Sequence, residues 1–448
     1  MREKGRKIML IMGNHRYDLG KLYLTIYLFA FIFAPPLIPR LNFFHVLFLY
    51  TFIILVFQYR VTVNKAFQNR ITKKFYLGYS LLLVYVISSM VLCIVSGKIN
   101  LMNEITQLYR IFMVVIEMPV CAIYIALYCR KHSYSYFELP KAIIKAGLIQ
   151  AVFTILMAGS PGIKARIVGF MSRTNGDGGS FLNMSAWEYA RRYNAFSDNL
   201  QDALGWGTGI ITALALFMAL RYKKKYFWAM PVLFLVPLFN SVTGVVMAFV
   251  VSAIVLSAGF LRRNFQSIKY IAGLLMLSVV VILIVRSANP FVYNWVKQNL
   301  LAIGKLGQGS SSSTSFGHLM NNSNWQFPEN PLEFLFGTGH NVMGDAAGYH
   351  HADPGITNNI WLMGLFGTIY LYAFWFFILR KAGSEAGKGF MRLYFALWVC
   401  LVLFEIKGLS NFYNPGLAVT ECLLFSPLAI GRADRAKNMT LTGSGRGA

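Results

Sequence analysis

Apolar runs of about 20 residues recur along this 448-residue chain, separated by clusters of three to six basic residues. Wound as a helix rising about 1.5 Å per residue, a run of that length spans the ~30 Å hydrocarbon layer of a bilayer. The chain therefore reads as an integral membrane protein. Composition agrees: 56% of residues are hydrophobic and 13% charged, where a soluble chain carries roughly 25% charged residues. The net charge of +25 would suggest nucleic acid if it lay on one face, but it is parcelled out between the apolar runs. Soluble enzymes, disordered scaffolds, disulfide-stapled secreted domains and nucleic-acid-binding modules are excluded as leading readings, and no nucleic-acid partner is expected.

Twelve runs are long enough to count as spans, near 22–38, 41–58, 75–97, 108–128, 142–160, 201–220, 226–239, 241–260, 270–287, 356–379, 393–409 and 414–430. The expected fold is an all-α, polytopic membrane helix bundle of about 12 transmembrane helices, one integral membrane domain over 1–448, with a large extracytoplasmic loop between the ninth and tenth spans. With both termini cytoplasmic, 30 of the 42 basic residues fall on the inner side, as the positive-inside rule requires. The segment 431–448 is then a cytoplasmic tail. The basic start leads into the first span without a small-residue cleavage site, so that span is expected to remain. Cys93, Cys121, Cys129, Cys400 and Cys422 all lie within or beside apolar runs, which suits packing residues better than a disulfide or metal framework.

Two outside segments stand apart from the short connections. The first extracytoplasmic loop runs over 161–200 and the large one over 288–355; long loops in compact domains are usually functional or disordered. The first contains Ser185-Ala-Trp-Glu188, a capping-box pattern, then the adjacent pair Arg191 and Arg192, then Tyr193 to Asn199 leading into the sixth span. Asp198 or Asn199 is the expected N-cap of that span. Two guanidinium groups thus precede a helix N-terminus whose free N–H groups favour anions, so a phosphate-bearing ligand would suit the place. The same arginines could instead anchor to lipid headgroups or pair with Glu188 or Asp198. Their adjacency, on the side where basic residues are scarce, is what favours the ligand reading.

The large loop holds four of the seven histidines, His318, His340, His350 and His351, together with the serine-rich stretch Ser310 to Ser315. It ends in Leu335-Phe336-Gly337-Thr338-Gly339-His340 and then in Tyr349-His350-His351-Ala-Asp353-Pro354. The glycines are too few for a nucleotide loop and suit a tight turn against the membrane. Asp353 and Pro354 read as N-cap and first residue of the tenth span, which places His350 and His351 within one turn of its start. A neutral imidazole there could take a proton near pH 7. Solvated loop histidines, or a metal site shared with His340 and Asp345, are the other readings. Within the spans, Arg110, Glu117, Glu405 and Glu421 are costly unless paired or facing a polar crevice. No serine-nucleophile elbow, zinc-peptidase motif or paired CxxC occurs, and no internal repeat divides the chain into matching halves.

Arg191-Arg192-Tyr193-Asn194-Ala195-Phe196-Ser197-Asp198-Asn199-Leu200 resembles the R-x-x-G-x-F-x-x-P-N motif of the bacterial O-antigen polymerase and O-antigen ligase superfamily, with Asn194 where that pattern carries glycine. Asn330-Pro331-Leu332 through Leu335-Phe336-Gly337-Thr338-Gly339, followed by histidines and by Asn359 to Gly367, is similar to the family's second signature. The resemblance implies transfer of a glycan from an undecaprenyl-diphosphate carrier to an acceptor hydroxyl at the outer face of the bacterial cytoplasmic (inner) membrane. The bilayer, the lipid-linked glycan and a chain-length regulator would be the partners, with no cofactor and no metal. Metal-dependent lipid-linked glycosyltransferases are expected to carry an acid in the first outside loop, and Pro35-Pro36-Leu-Ile-Pro39-Arg40 has none.

Applied to these residues, the chemistry makes Arg191 the stabiliser of the departing diphosphate. His351, or else His350, is the base that takes the acceptor's proton. Arg192, His340, Tyr193 and Asn359 are the expected substrate-binding residues. Polymerase and ligase remain open as alternatives, with a lipid-linked oligosaccharide flippase as the competitor from another class.

Overall fold

Where the sequence is apolar over long stretches the chain is helical, because a backbone out of reach of water must bond to itself. A computed structural model describes residues 9–12, 15–38, 41–95, 108–174, 193–197, 201–260, scattered positions between 272 and 297, and 325–339, 354–387, 389–408 and 414–429. The architecture is all-α, with fourteen α-helices among the described residues. Two small antiparallel hairpins accompany them: β1 (Met9–Met12) pairs with β2 (His15–Asp18), and β3 (Pro36–Ile38) with β4 (Leu41–Asn42).

In chain order the helices are α1 (Leu19–Phe33), α2 (Phe43–Gln58), α3 (Arg60–Phe67), α4 (Arg70–Val95) and α5 (Met118–Lys131), the last entered through a π-helical turn, Met113–Glu117. Then follow α6 (Glu138–Gly159), α7 (Pro161–Thr174), α8 (Gln201–Arg221), α9 (Ala229–Asn240) and α10 (Val242–Phe260). The short α11 (Pro331–Phe336), α12 (Gly355–Ala386), α13 (Met391–Phe404) and α14 (Pro415–Phe425) complete the set.

Among the described residues, five helices are long and apolar enough to cross a membrane: Arg70–Val91, Leu108–Lys131, Glu138–Gly159, Asp202–Arg221 and Gly355–Ala386. Leu19–Phe33, Phe43–Gln58, Thr243–Ser257, Met391–Phe404 and Pro415–Ala429 are apolar but shorter. The pattern is that of a multi-pass membrane protein. Of the segment expected to span at 270–287, only scattered helical positions are described.

Helix α8 is the axis of the bundle. Of its apolar window 89% is buried, against 33% for α4 at the periphery, and it packs on α6, α9, α10 and α14. Side chains would hold those neighbours away; glycines let them in. A Cβ at Gly205 would run into Ser241 and Gly244, one at Gly209 into Gly244 of α10, and one at Gly207 into Pro415 at the head of α14. Small residues at such crossings replace the hydrophobic drive that lipid removes with close backbone packing. Trp206, fully buried, stacks on Phe404 with ring centres 4.3 Å apart.

The ends of the helices are fixed by polar caps. Asn414 accepts from Leu417 N (2.8 Å) with Pro415 in the first turn, the arrangement proline's missing N–H favours. The expected N-cap role of Asp353 shifts by one residue: Pro354 holds the extended capping conformation (ψ 129°) and the helix begins at Gly355. Proline has no side-chain acceptor, so the exposed N–H of Ile356 bonds instead to the backbone oxygen of Glu405 (3.1 Å). Asp353 itself, the capping box at Ser185–Glu188 and the caps expected at Asp198 or Asn199 lie outside the described residues.

Candidate functional site

Of the seven residues singled out for chemistry, Tyr193 and Asn359 fall among the described residues; Arg191, Arg192, His340, His350 and His351 lie outside them. The segment directly after the arginine pair is held by buried side chains from two helices. Asn240, the last residue of α9, accepts from Tyr193 N (3.1 Å) and donates to Tyr193 O (3.2 Å), so one amide reads both polar groups of one peptide backbone. Thr154 of α6 donates to the same carbonyl (3.1 Å), and Gln150, one turn earlier, donates to Asn194 O (2.5 Å). A turn closes with Ser197 N bonded to Asn194 O (3.0 Å), and Ala195 within it is left-handed (φ 49°). The left-handed residue is thus one place after Asn194, the position where the resembled motif carries glycine.

The Tyr193 ring is 4% exposed and packs on Phe239, ring centres 5.7 Å apart, while the Lys164 ammonium of α7 lies 3.9 Å from the ring centre. The Tyr193 ring is therefore taken up by the core. Tyr293, at the start of the large loop, packs against the same apolar cluster as Tyr193, Ala195 and Phe239. Residues 193–196 and Tyr293 thus share one apolar footing.

Lys164 is only 6% exposed, and burial pushes its amine down to about 8 from the ordinary 10.5. Between those values the folded chain holds fewer protons than the unfolded one, so stability should rise as pH climbs from about 8 towards 10.5, and the cost of the buried charge is fully present below that window. Lys164→Met is expected to flatten this rise. Melting curves of the purified protein at pH 7.0 to 9.5 check it, and an unchanged slope would count against a buried ammonium.

The second motif is built into a broken helix. Gly364 interrupts α12 with φ 66° and ψ 179°, a conformation open essentially to glycine alone. The break frees carbonyls of the preceding turn, and the stretch after α11 satisfies them: Thr338 donates to Trp361 O through its N–H (2.7 Å) and hydroxyl (2.8 Å), and Gly339 N donates to Leu362 O (3.1 Å). Gly337 and Gly339 make the tight turn expected of them, with φ 82° and 73°. Tyr85 of α4 donates to Phe336 O, and Trp361 Nε1 to Gln326 O (2.9 Å). The stretch 326–339 is thereby stitched to two helices.

One turn above the break, Asn359 is 2% exposed and donates to Glu405 Oε2 (2.9 Å), a fully buried carboxylate, and to the Tyr372 hydroxyl (3.4 Å). Tyr193 and Asn359 do not touch. They are linked across the head of α8: Asn240 holds Tyr193, its neighbour Ser241 donates to Asp202 (2.5 Å), and Trp206 stacks on Phe404, next to Glu405. Tyr193 and Asn359 are therefore both held by neighbours of α8, the first by Asn240 at the end of α9 and the second by Glu405 just after α13.

Sequence reasoning passed over a third polar group. His45 of α2 meets Glu117 Oε2 through Nδ1 (3.2 Å) and the Tyr109 hydroxyl through Nε2 (2.9 Å). If Nδ1 carries the proton and donates to the carboxylate, Nε2 accepts from the phenol, a tautomer that serves both partners. Glu117 closes the π-helical turn, a distortion frequent at functional sites. The available signal was a lone histidine opening one apolar run and a lone acid inside another, each needing a partner. Glu421, by contrast, is fully buried and neither of its oxygens meets a hydrogen-bond donor among the described residues. Compared with protein-family models and with curated proteins the chain matches none, so the chemistry of this site rests on its own residues and geometry.

Proposed function

We propose that this protein polymerises undecaprenyl-diphosphate-linked oligosaccharide repeat units into O-antigen or exopolysaccharide at the outer face of the bacterial inner membrane, as a metal-independent, inverting glycosyltransferase with about 12 spans and both termini inside. The observation that supports it best is that Tyr193 and Asn359, one from each motif segment, are pinned by neighbours of one helix, Tyr193 by Asn240 at the end of α9 and Asn359 by Glu405 after α13, with α8 packed on both α9 and α13. Arg191 stabilises the diphosphate as its charge grows, Arg192 holds the carrier, and His351 or His350 removes the acceptor proton; His340 contacts the glycan. Guanidinium groups placed in advance favour the transition state over the ground state, because charge accumulates only as the sugar–oxygen bond breaks. Tyr193 and Asn359 act by setting the backbone on which these groups are mounted. The O-antigen ligase differs in acceptor alone, transferring the glycan to lipid A core.

A lipid-linked oligosaccharide flippase is the second reading, favoured by the break in α12 at Gly364 and the unpartnered carboxyl of Glu421, both features of transporters. Purified protein in detergent micelles separates the two, because micelles have no sides to transport between. Given a lipid-diphosphate repeat unit and a chelator, the polymerase is expected to release undecaprenyl diphosphate and yield a ladder of longer glycans. No covalent product would favour transport, and product that appears only with added divalent metal would overturn the proposed chemistry.

A further inference from the structure

Beyond the motif segments, towards the basic ends of both helices, α4 and α12 leave a groove of about 290 Å³ lined by Lys74, Tyr370, Ala373, Phe374, Phe377 and Ile378. Its floor follows from one small residue: Phe374 seats where a Cβ on Gly78 would stand, and the Tyr370 hydroxyl closes one end by donating to Gly78 O (3.1 Å). Five of the six lining residues are aromatic or aliphatic, and the sixth is a cation at the mouth.

The mouth is strongly basic. Arg70, Lys73 and Lys74 lie three and four residues apart on one exposed face of α4. Arg380 follows Phe377 by three residues on α12 and is also exposed. No carboxylate pairs with Lys74 among the described residues, and the acid nearest in sequence to Arg380, Glu385, is engaged by Lys381 at 3.8 Å. On the lipid side of the same α4 face, Leu77 and Leu81 are 64% and 58% exposed. The volume falls just under the roughly 300–1,000 Å³ of pockets that enclose a whole small ligand. A slot of this size, apolar along its length and cationic at one end, fits a hydrocarbon chain with a phosphate attached.

We propose that this groove binds one acyl chain of an acidic glycerophospholipid, with the lipid phosphate lodged among Arg70, Lys73, Lys74 and Arg380. The site would tie the basic ends of α4 and α12 together through the lipid and would act independently of the glycan chemistry. Charge complementarity selects the occupant: a zwitterionic lipid offers the same chain but brings its own cation to a rim that already holds four.

Native mass spectrometry of the full-length protein, delipidated and given dioleoyl phosphatidylglycerol or dioleoyl phosphatidylcholine, tests this. The protein should retain phosphatidylglycerol in preference, and Lys74→Gln should lower that retention roughly fivefold, the effect of one basic residue at a lipid surface. Lys65→Gln, an exposed lysine on α3 outside the groove, should leave it unchanged. Phe377→Ala should weaken retention by removing a wall. Thermal shifts with inorganic phosphate separate a lipid site from a bare anion site. Stabilisation by phosphate equal to that by phosphatidylglycerol, equal retention of the two lipids, or unchanged retention by Lys74→Gln would each overturn the proposal.

Discussion

Arg191→Ala is expected to leave the protein inserted and folded but to reduce polymer formation by ~10²–10³-fold, so that single repeat units accumulate on the lipid carrier. That is the usual cost of removing one preorganised donor from a developing anion. The fold should survive because the neighbouring backbone is held by Asn240, Thr154 and Gln150, whose bonds go to Tyr193 and Asn194. Arg191→Lys should recover only part of the activity, since an ammonium supplies charge without the planar fork that grips two phosphate oxygens. His351→Ala should give the same block in chain growth, whereas its effect should ease at high pH if the imidazole acts as base, because the acceptor hydroxyl then needs less help. Lipid-linked glycan ladders from membranes carrying each variant check both, and normal ladders would remove these residues from the mechanism.

Gly364→Ala is expected to destabilise the protein by roughly 2–5 kcal/mol, combining the strain of a Cβ at this backbone conformation with the hydrogen bonds it would displace. A Cβ there would collide with the Leu335 carbonyl oxygen and with Gly337 N, forcing the loop end away from α12. Thr338 and Gly339 would then lose their bonds to Trp361 and Leu362. Gly159→Ala is the control, because a Cβ at that position meets no atom within 4 Å. Melting temperatures of the two variants in the same detergent decide the matter: equal values would mean that the docked loop contributes little.

The helices were legible because hydrophobic runs report them directly, and the start of α12 near 355 was read to within a residue. The discontinuity at Gly364 was not, since it hides inside Met363-Gly364-Leu365-Phe366, a stretch as apolar as its neighbours; composition records which residues enter the membrane and says nothing of ψ. Gly337 and Gly339 announced a turn, but not that the turn's N–H groups would serve carbonyls more than twenty residues onward. The buried partnerships behaved alike. Glu117 and Glu405 were evident as acids requiring company, yet His45 and Asn359 were chosen by tertiary packing, across separations of 72 and 46 residues. The lock of Asn240 on Tyr193 joins an unremarkable helix end to a loop and leaves no periodic trace.

The glycine contacts of α8 limit how such a bundle could work. With Gly205 and Gly209 laid on Gly244, and Gly207 on Pro415, the central helix is wedged from two directions, and any side chain larger than hydrogen at these positions would push its neighbours apart. If the proposed polymerisation holds, the sugar chain would have to advance by exchange of carriers past a frame built around this fixed crossing.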